Sequence, residues 1–356
     1  MYTPYVSIFI FLILFIFSSC SSTACLATRL RPTKSTAAKF AISNNLKNHS
    51  HPWFQFKRFV DARRGSQVDG ISELKKYFHK FGYIKKNDIL NDTFDGQLEQ
   101  ALAKYQEKLG LHVTRKLDSE TISEIMSPRC GFSDTFDKLH ATKRYTYFTG
   151  KPRWSRDIPM TLTYGFSPIY KITSLGMNEI QGAFRRAFNH WAAVIQVNFI
   201  QTEDYDFADI KIGFYLGAHG DDEPFDGVLG VLAHAFSPEN GQFHLDAAET
   251  WAVDFEVEKS QVAVDLESIA THEIGHLLGL GHTSVKDAIM YPTLKARHRK
   301  VDLKGDDIVA VQALYGSNPN FKYQSMSESD ISSSSILSLR LLKSVIMLLV
   351  LALLLL

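Results

Sequence analysis

The chain has 356 residues, long enough for a core-forming catalytic domain and a smaller second domain, and its hydrophobic content of 45% fits ordinary globular protein. Its 39 basic and 38 acidic side chains leave a formal net charge of +1. That balance gives no electrostatic reason to expect nucleic acid or an anionic membrane surface as partner, and both are set aside.

In chain order the first element is the apolar run Val6 to Phe17, followed by small residues and a plausible cut near Ala24 or Ala27. Residues 1–27 therefore read as a secretory signal peptide, with an uncleaved anchor as the alternative because no basic side chain precedes the run. Cleavage removes Cys20 and Cys25 and leaves Cys130 as an unpaired thiol in an oxidising compartment, which calls for an explanation. Residues 28–52 are polar and read as a flexible leader. Asn48-His-Ser and Asn91-Asp-Thr are sequons, which makes Asn48 and Asn91 candidate glycosylation sites.

From Ile71 the apolar spacing becomes helical. Leu74, Tyr77, Phe78 and Phe81 recur three and four apart, then Leu98, Ala101, Leu102, Tyr105 and Leu109, then Thr121, Ile122 and Ile125. Gly82 and Gly110 are natural stops, so a small helical domain covers 53–130. After Arg144 the texture becomes mixed α/β: a strand at 160–164, a helix over 178–195, strands at 197–200 and 210–214, a Gly/Asp-rich loop at 217–230 and a strand-like stretch over 228–236. Helices over 266–278 and 304–314 close the domain. Residues 318–334 are a Ser/Asn/Asp-rich linker. The tail 335–356 carries Arg340 and Lys343, then runs apolar from Val345 to Leu356. Small residues, a short spacer and a greasy terminus form a glycolipid (GPI) anchor signal, which tethers the mature protein to the outer membrane leaflet. A retained transmembrane helix is the alternative, although the two cations shorten its apolar run.

The sharpest motif is His272-Glu-Ile-Gly-His-Leu-Leu-Gly-Leu-Gly-His282. On a helix His272 and His276 share a face and can present two imidazole nitrogens to one ion, and Gly279 lets the chain leave the helix so that His282 returns as third ligand. Three protein ligands leave one position open, where zinc lowers the pKa of bound water and Glu273 can take its proton during attack on a peptide carbonyl. The pattern arises by chance in a chain of this length on the order of one time in ten thousand. Farther upstream His219, Asp221, His234 and His244 supply three imidazoles and a carboxylate, a closed set suited to a structural zinc. Asp226, Asp246 and Glu249 offer hard oxygens of the type calcium selects.

The long zinc motif followed by Met290 in Ala-Ile-Met-Tyr-Pro resembles the metzincin peptidases. Pro128-Arg-Cys-Gly-Phe-Ser-Asp134 is similar to the cysteine switch of the matrix metalloproteinases, with Ser133 where that family usually has Pro. The pattern HGD…PFDG…LAHAF…HLDAAETW resembles the same family, most of all its plant members without a hemopexin domain, over about 53–317.

The resemblance implies a metzincin α/β catalytic domain over 146–317 and a three-helix propeptide over 53–145, whose Cys130 thiolate fills the open zinc position while Arg129 and Asp134 pair across the switch. It also implies Met290 as a floor under the metal, Tyr291, Pro292 and Thr293 as a wall of the specificity pocket, His219, Asp221, His234 and His244 as structural-zinc ligands, and carbonyls of Gly227, Leu229 and Val231 completing a calcium shell with Asp226, Asp246 and Glu249. The activating cut is expected between about Leu139 and Phe148, by a protease the sequence does not name. Only 39 residues follow Ser317, too few for the propeller of animal relatives.

The expected function is a zinc endopeptidase, monomeric and made as a zymogen, that hydrolyses extracellular proteins on the outer face of the plasma membrane or, once released, in the extracellular matrix. A large apolar residue after the cleaved bond and a substrate extended along 228–236 are part of that expectation. The alternatives are a catalytically silent, metal-stabilised cell-surface binding protein, against which Glu273 argues, and a metal buffer, against which the single remaining thiol argues.

Overall fold

A computed structural model of the protein describes residues 53–85, 90–135, 140–141 and 145–322. The expected signal peptide, leader, Asn48, anchor segment and most of the linker lie outside these residues. Among the described residues no helix is long and apolar enough to cross a membrane.

The three periodic stretches of the first part form helices α1 (Ile71–Lys80), α2 (Gly96–Lys108) and α3 (Ser119–Ile125), behind a 3-10 turn at Phe54–Phe59 that the sequence pattern did not announce. Asp95 and Asp118 cap α2 and α3, their carboxylates accepting from the amides of Leu98 and Thr121 at 2.9 and 2.8 Å. Gly82 and Gly110 end α1 and α2 with φ of +85° and +64°, a conformation that suits glycine. Tyr77, Phe78, Phe81, Leu98, Leu102, Tyr105 and Ile122 bury into one aromatic-rich core. Lys75, itself buried, donates to Asn91 Oδ1 at 2.7 Å and Asp95 Oδ2 at 2.5 Å, so the loop that carries the sequon Asn91 is tied to α1.

The second part is α/β, as expected. In chain order its elements are β1 (Arg129–Cys130), β2 (His140–Ala141), β3 (Thr146–Tyr147), β4 (Met160–Phe166), α4 (Met177–Ala192), β5 (Val197–Gln201), β6 (Ile210–Tyr215), β7 (Val231–Ala235), β8 (Gln242–Asp246), β9 (Trp251–Ala252), β10 (Val264–Asp265), α5 (Leu266–Leu277) and α6 (Gly305–Tyr315). Six strands form one sheet in the order β1-β7-β8-β6-β4-β5, parallel throughout except where β7 meets β8. Phe184, Phe188 and Trp191 of α4 bury with Ile269, Ile274 and Leu277 of α5 and with Leu162, Ile212 and Leu245 of the sheet. Burying these large side chains supplies the apolar area that holds the layer together.

Two expectations shift. The strand expected over 228–236 begins only at Val231, because Leu229 takes a left-handed φ of 62° and the Asp226 carboxylate captures the Val231 amide at 2.7 Å, which folds 226–230 into a turn. The helix expected to reach Ile195 ends at Ala192. A connection between the two parts matters more for function: β1 occupies the edge beside β7, and Phe225, Val231 and Tyr291 of the second part bury into the aromatic core of the first.

Candidate active site

Helix α5 is buried along its whole length, including its polar residues. Such a helix is tolerable only if those groups are paired. Asp265 caps it, accepting from the Ser268 amide at 2.8 Å. Glu267 accepts from Arg186 Nε at 2.6 Å and an Arg299 guanidinium nitrogen at 2.8 Å and faces His190 Nε2 at 3.3 Å; burial pushes its carboxyl up, but His190, Arg186 and Arg299 outweigh it and leave the carboxyl lowered to about 2. What remains unpaired is concentrated at the motif: His272 Nε2 and both Glu273 carboxylate oxygens are buried with no hydrogen-bond partner.

The chain leaves α5 at Gly279, whose φ is +97° and where a Cβ would stand 2.3 Å from the Pro152 carbonyl oxygen. That turn returns His282 to the histidines of the helix. Each of the three rings has its Nδ1 against an acceptor: Ile289 O for His272 at 2.7 Å, Leu280 O for His276 at 2.8 Å, and Asp134 Oδ1 for His282 at 2.7 Å. Since carbonyls and an ionised carboxylate only accept, Nδ1 carries the proton and every Nε2 presents a lone pair. Burial depresses the pKa of all three imidazoles and so favours the neutral form that binds metals.

The Nε2 atoms of His276 and His282 lie 3.2 Å apart, and Cys130 Sγ lies 3.4 Å from His276 Nε2. All four ligand atoms, with His272 Nε2, fall within 4.8 Å of one another. Two lone pairs facing at 3.2 Å are repulsive without a cation, whereas tetrahedral nitrogen ligands of zinc sit about 3.3 Å apart. The donor set therefore fits zinc. Burial, and then the charge of Glu273, push the Cys130 thiol well up, a cost that a divalent cation among the imidazoles reverses.

Glu273 has its carboxyl raised to about 8 by burial, offset in part by Cys130 and the Ala235 amide, which face it without reaching hydrogen-bond geometry. Met290 is buried beneath the motif: a Cβ on Gly275 would stand 2.2 Å from its Sδ. The amides of Ile289 and Met290 donate to Asp307 of α6 at 2.9 and 3.0 Å. Sequence reasoning missed this brace, whose only signal is an acid at the third position of the last helix.

Cys130 arrives on β1, threaded between β7 and the 292–294 wall. Arg129 N donates to Gly230 O, Gly131 N to Ala233 O, Cys130 N to Pro292 O and Leu294 N to Pro128 O, at 2.8–3.1 Å. Arg129, fully buried, reaches Asp134 Oδ1 at 2.6 Å, and its guanidinium lies 3.6 Å from the centroid of the Phe81 ring. The helical part adds contacts that the sequence did not point to: Glu124 Oε1 accepts from Tyr291 Oη at 3.1 Å and Thr293 Oγ1 at 2.7 Å, and Lys286 pairs with Glu120 at 3.1 Å.

The second four-residue set also converges. Asp221 Oδ2 lies 2.9, 2.7 and 2.8 Å from His219 Nε2, His234 Nε2 and His244 Nδ1, and the imidazole nitrogens are 3.1–3.2 Å apart where they face each other. His219 Nδ1 is committed to Gly217 O at 2.8 Å, which leaves its Nε2 as a lone pair. Burial lowers His234 to about 4 and His244 in the same direction, again toward the ligating form.

Asp226 and Glu249 accept from the backbone amides of Val231 and Leu229, and Asp246 accepts from those of Gly227 and Ala248. Burial and mutual charge raise Asp246 to about 6 and Glu249 to about 9, and Glu249 Oε2 has no partner. These three are not gathered as tightly as the two histidine groups, which are the four-atom sets found among the described residues. Of the expected calcium carbonyls, Gly227 O accepts from the Gly230 amide at 3.4 Å.

Residues 153–316 match the family model described as Matrixin, and residues 67–125 match that of a peptidoglycan binding domain. The chain is 55% identical over 289 residues to Metalloendoproteinase 4-MMP of Arabidopsis thaliana, covering 78% of this chain and 84% of that one. It is 54% identical over 285 residues to Metalloendoproteinase 1-MMP of the same plant, covering 78% of each. To Metalloendoproteinase 1 of Glycine max it is 43% identical over 270 residues, covering 74% of this chain and 87% of that one.

Proposed function

The chain belongs to the matrixin family and is a metalloendopeptidase, and from that premise we propose that it is made as a zymogen silenced by Cys130 and acts on extracellular proteins. The observation that carries the reading is the position of the Cys130 thiol, 3.4 Å from His276 Nε2 and inside the ring of three imidazoles. His272, His276 and His282 are the residues that hold zinc there, and the metal when bound supplies a Lewis acid and a water of lowered pKa.

Glu273 acts as the general base. Its two carboxylate oxygens, beside the three imidazoles, are committed to no hydrogen-bond partner, so they can accept a proton from the attacking water and return it to the leaving amine. Before activation, β1 covers the ground a substrate needs, hydrogen-bonded to Gly230 and Ala233 on one side and Pro292 on the other. Once the helical part is cut away, the same backbone groups are free to bind an extended peptide, and Tyr291, Pro292 and Thr293 line the pocket for a large apolar side chain.

The remaining assignments belong to the same reading. His219, Asp221, His234 and His244 hold a structural zinc, closed to water and substrate. Asp226, Asp246 and Glu249, with carbonyls of Gly227, Leu229 and Val231, hold calcium. Met290 floors the catalytic metal. Secretion on a signal peptide, glycosylation at Asn48 and Asn91, an unnamed activating protease that cuts between about Leu139 and Phe148, a lipid anchor from 335–356 and action as a monomer complete the proposal.

The test is a quenched-peptide assay of the zymogen before and after a thiol-reactive mercurial, with Glu273→Ala alongside. Cleavage that appears only after treatment, is removed by a chelator and is absent from the variant is the expected result. A folded, zinc-loaded protein that stays silent throughout refutes the reading in favour of a surface binding protein.

A further inference from the structure

Two of the three zinc-site histidines take their Nδ1 acceptors from carbonyls of their own domain, Ile289 O and Leu280 O. His282 does not. Its Nδ1 donates to the carboxylate of Asp134, on the far side of the switch, at 2.7 Å, and both side chains are fully buried. Asp134 is in turn fixed from three directions: Arg129 donates to Oδ1 at 2.6 Å, Tyr83 Oη donates to Oδ2 at 2.8 Å, and the Asp134 amide donates to Phe81 O at 3.2 Å. A carboxylate behind a metal-binding imidazole sets its tautomer, orients the ring and raises its basicity. The helical part also grips the loop carrying His282, since Lys108 Nζ donates to the His282 carbonyl at 3.4 Å.

We infer that Asp134 is a positioning residue for His282 as well as the partner of Arg129, so that the propeptide supplies part of the outer shell of the zinc site in addition to the thiol. The inference rests on the zymogen reading above. Activation then removes two things at once, a ligand from the metal and the acceptor that orients one of the remaining ligands, and the zymogen is the form that retains zinc more firmly. His282 is the one ligand of the three whose ring partner leaves.

Zinc release into excess chelator, followed with a zinc-sensing dye, separates the two contributions. The full-chain zymogen is compared in a Cys130→Ser background, where the thiol no longer contributes, as Arg129→Met and as Arg129→Met with Asp134→Leu. The first keeps the Asp134–His282 contact and the second removes it without stranding a buried charge. Release about ten- to a hundredfold faster from the second is expected, the range typical of losing such a partner.

A second measurement needs no variant: the ring N–H signal of His282 in the wild-type protein moves or disappears on activation, while those of His272 and His276 stay. Equal release rates in folded, fully zinc-loaded variants, or an unmoved His282 signal, overturn the inference alone. A wild-type chain that takes up no zinc overturns the parent reading with it.

Discussion

Replacing Arg129 by Met tests whether the buried ion pair holds the switch shut. The Arg129 guanidinium is fully buried, reaches Asp134 at 2.6 Å and Tyr77 Oη at 3.2 Å, and covers the Phe81 ring. Methionine keeps much of the apolar bulk but leaves the Asp134 carboxylate without its cation. Breaking one half of a buried pair costs about 3–5 kcal/mol. Here the lower end applies, because the donors from His282 and Tyr83 survive the substitution.

Because Arg129 and Asp134 also reach the catalytic part, through Gly230 O and His282 Nδ1, the cost is expected to fall on the closed form, and about 3 kcal/mol corresponds to roughly a hundredfold rise in transient opening. The assay is the rate at which Cys130 reacts with a thiol reagent in native buffer, with peptide cleavage recorded in parallel. Both should rise by about two orders of magnitude in Arg129→Met. A variant that melts cooperatively, yet reacts no faster than wild type, would show that the backbone bonds of β1 and the thiol–metal contact hold the segment without the ion pair.

Three further outcomes follow from the packing and charge around the motif. Alanine at Gly275 should gain about 1 kcal/mol of helix propensity, yet its Cβ would stand 2.2 Å from Met290 Sδ and 3.1 Å from Trp191, both buried. Overpacking of about 1–3 kcal/mol wins, so a melting temperature lower by a few degrees is expected and an unchanged or higher one refutes the close approach. Glu267→Gln should destabilise the protein at neutral pH. A carboxyl lowered from 4.5 to about 2 contributes while ionised, so the difference from wild type should shrink as the pH falls from about 4.5 toward 2, and denaturant midpoints read across that window check the sign. Glu124→Ala removes the acceptor shared by Tyr291 and Thr293, and should increase cleavage by the uncut zymogen several-fold. Leak equal to wild type would make that contact incidental.

How much of this was legible in the sequence depends on how far apart the interacting residues lie. The motif from His272 to His282 was readable because its geometry is local: a helical repeat of four and one glycine exit fix the spacing of three rings. The helices of the first part were readable for the same reason, through Leu74, Tyr77 and Phe78 and their counterparts. The strand at 228–236 was misjudged by three residues because a side-chain carboxylate, Asp226, competes with the ladder for the Val231 amide, and alternation of apolar residues carries no trace of that competition.

Cys130 meets His276 from 146 residues away and was read only through the resemblance; what could not be read are the polar contacts that brace the site from elsewhere in the chain. Asp307 braces Ile289 and Met290, Glu124 meets Tyr291 and Thr293, and Asp134 stands behind His282 from 148 residues away. Each is an acid whose local context suggests only a cap, a solvated helix face or a partner for the nearest arginine. The sequence thus pointed to the side chains that converge as candidate metal ligands, whereas the forces that orient those residues and keep them covered reside in long-range polar contacts. This division explains why a substitution at Asp134 or Asp307, outside the metal-binding set, should disturb the centre as surely as one within it.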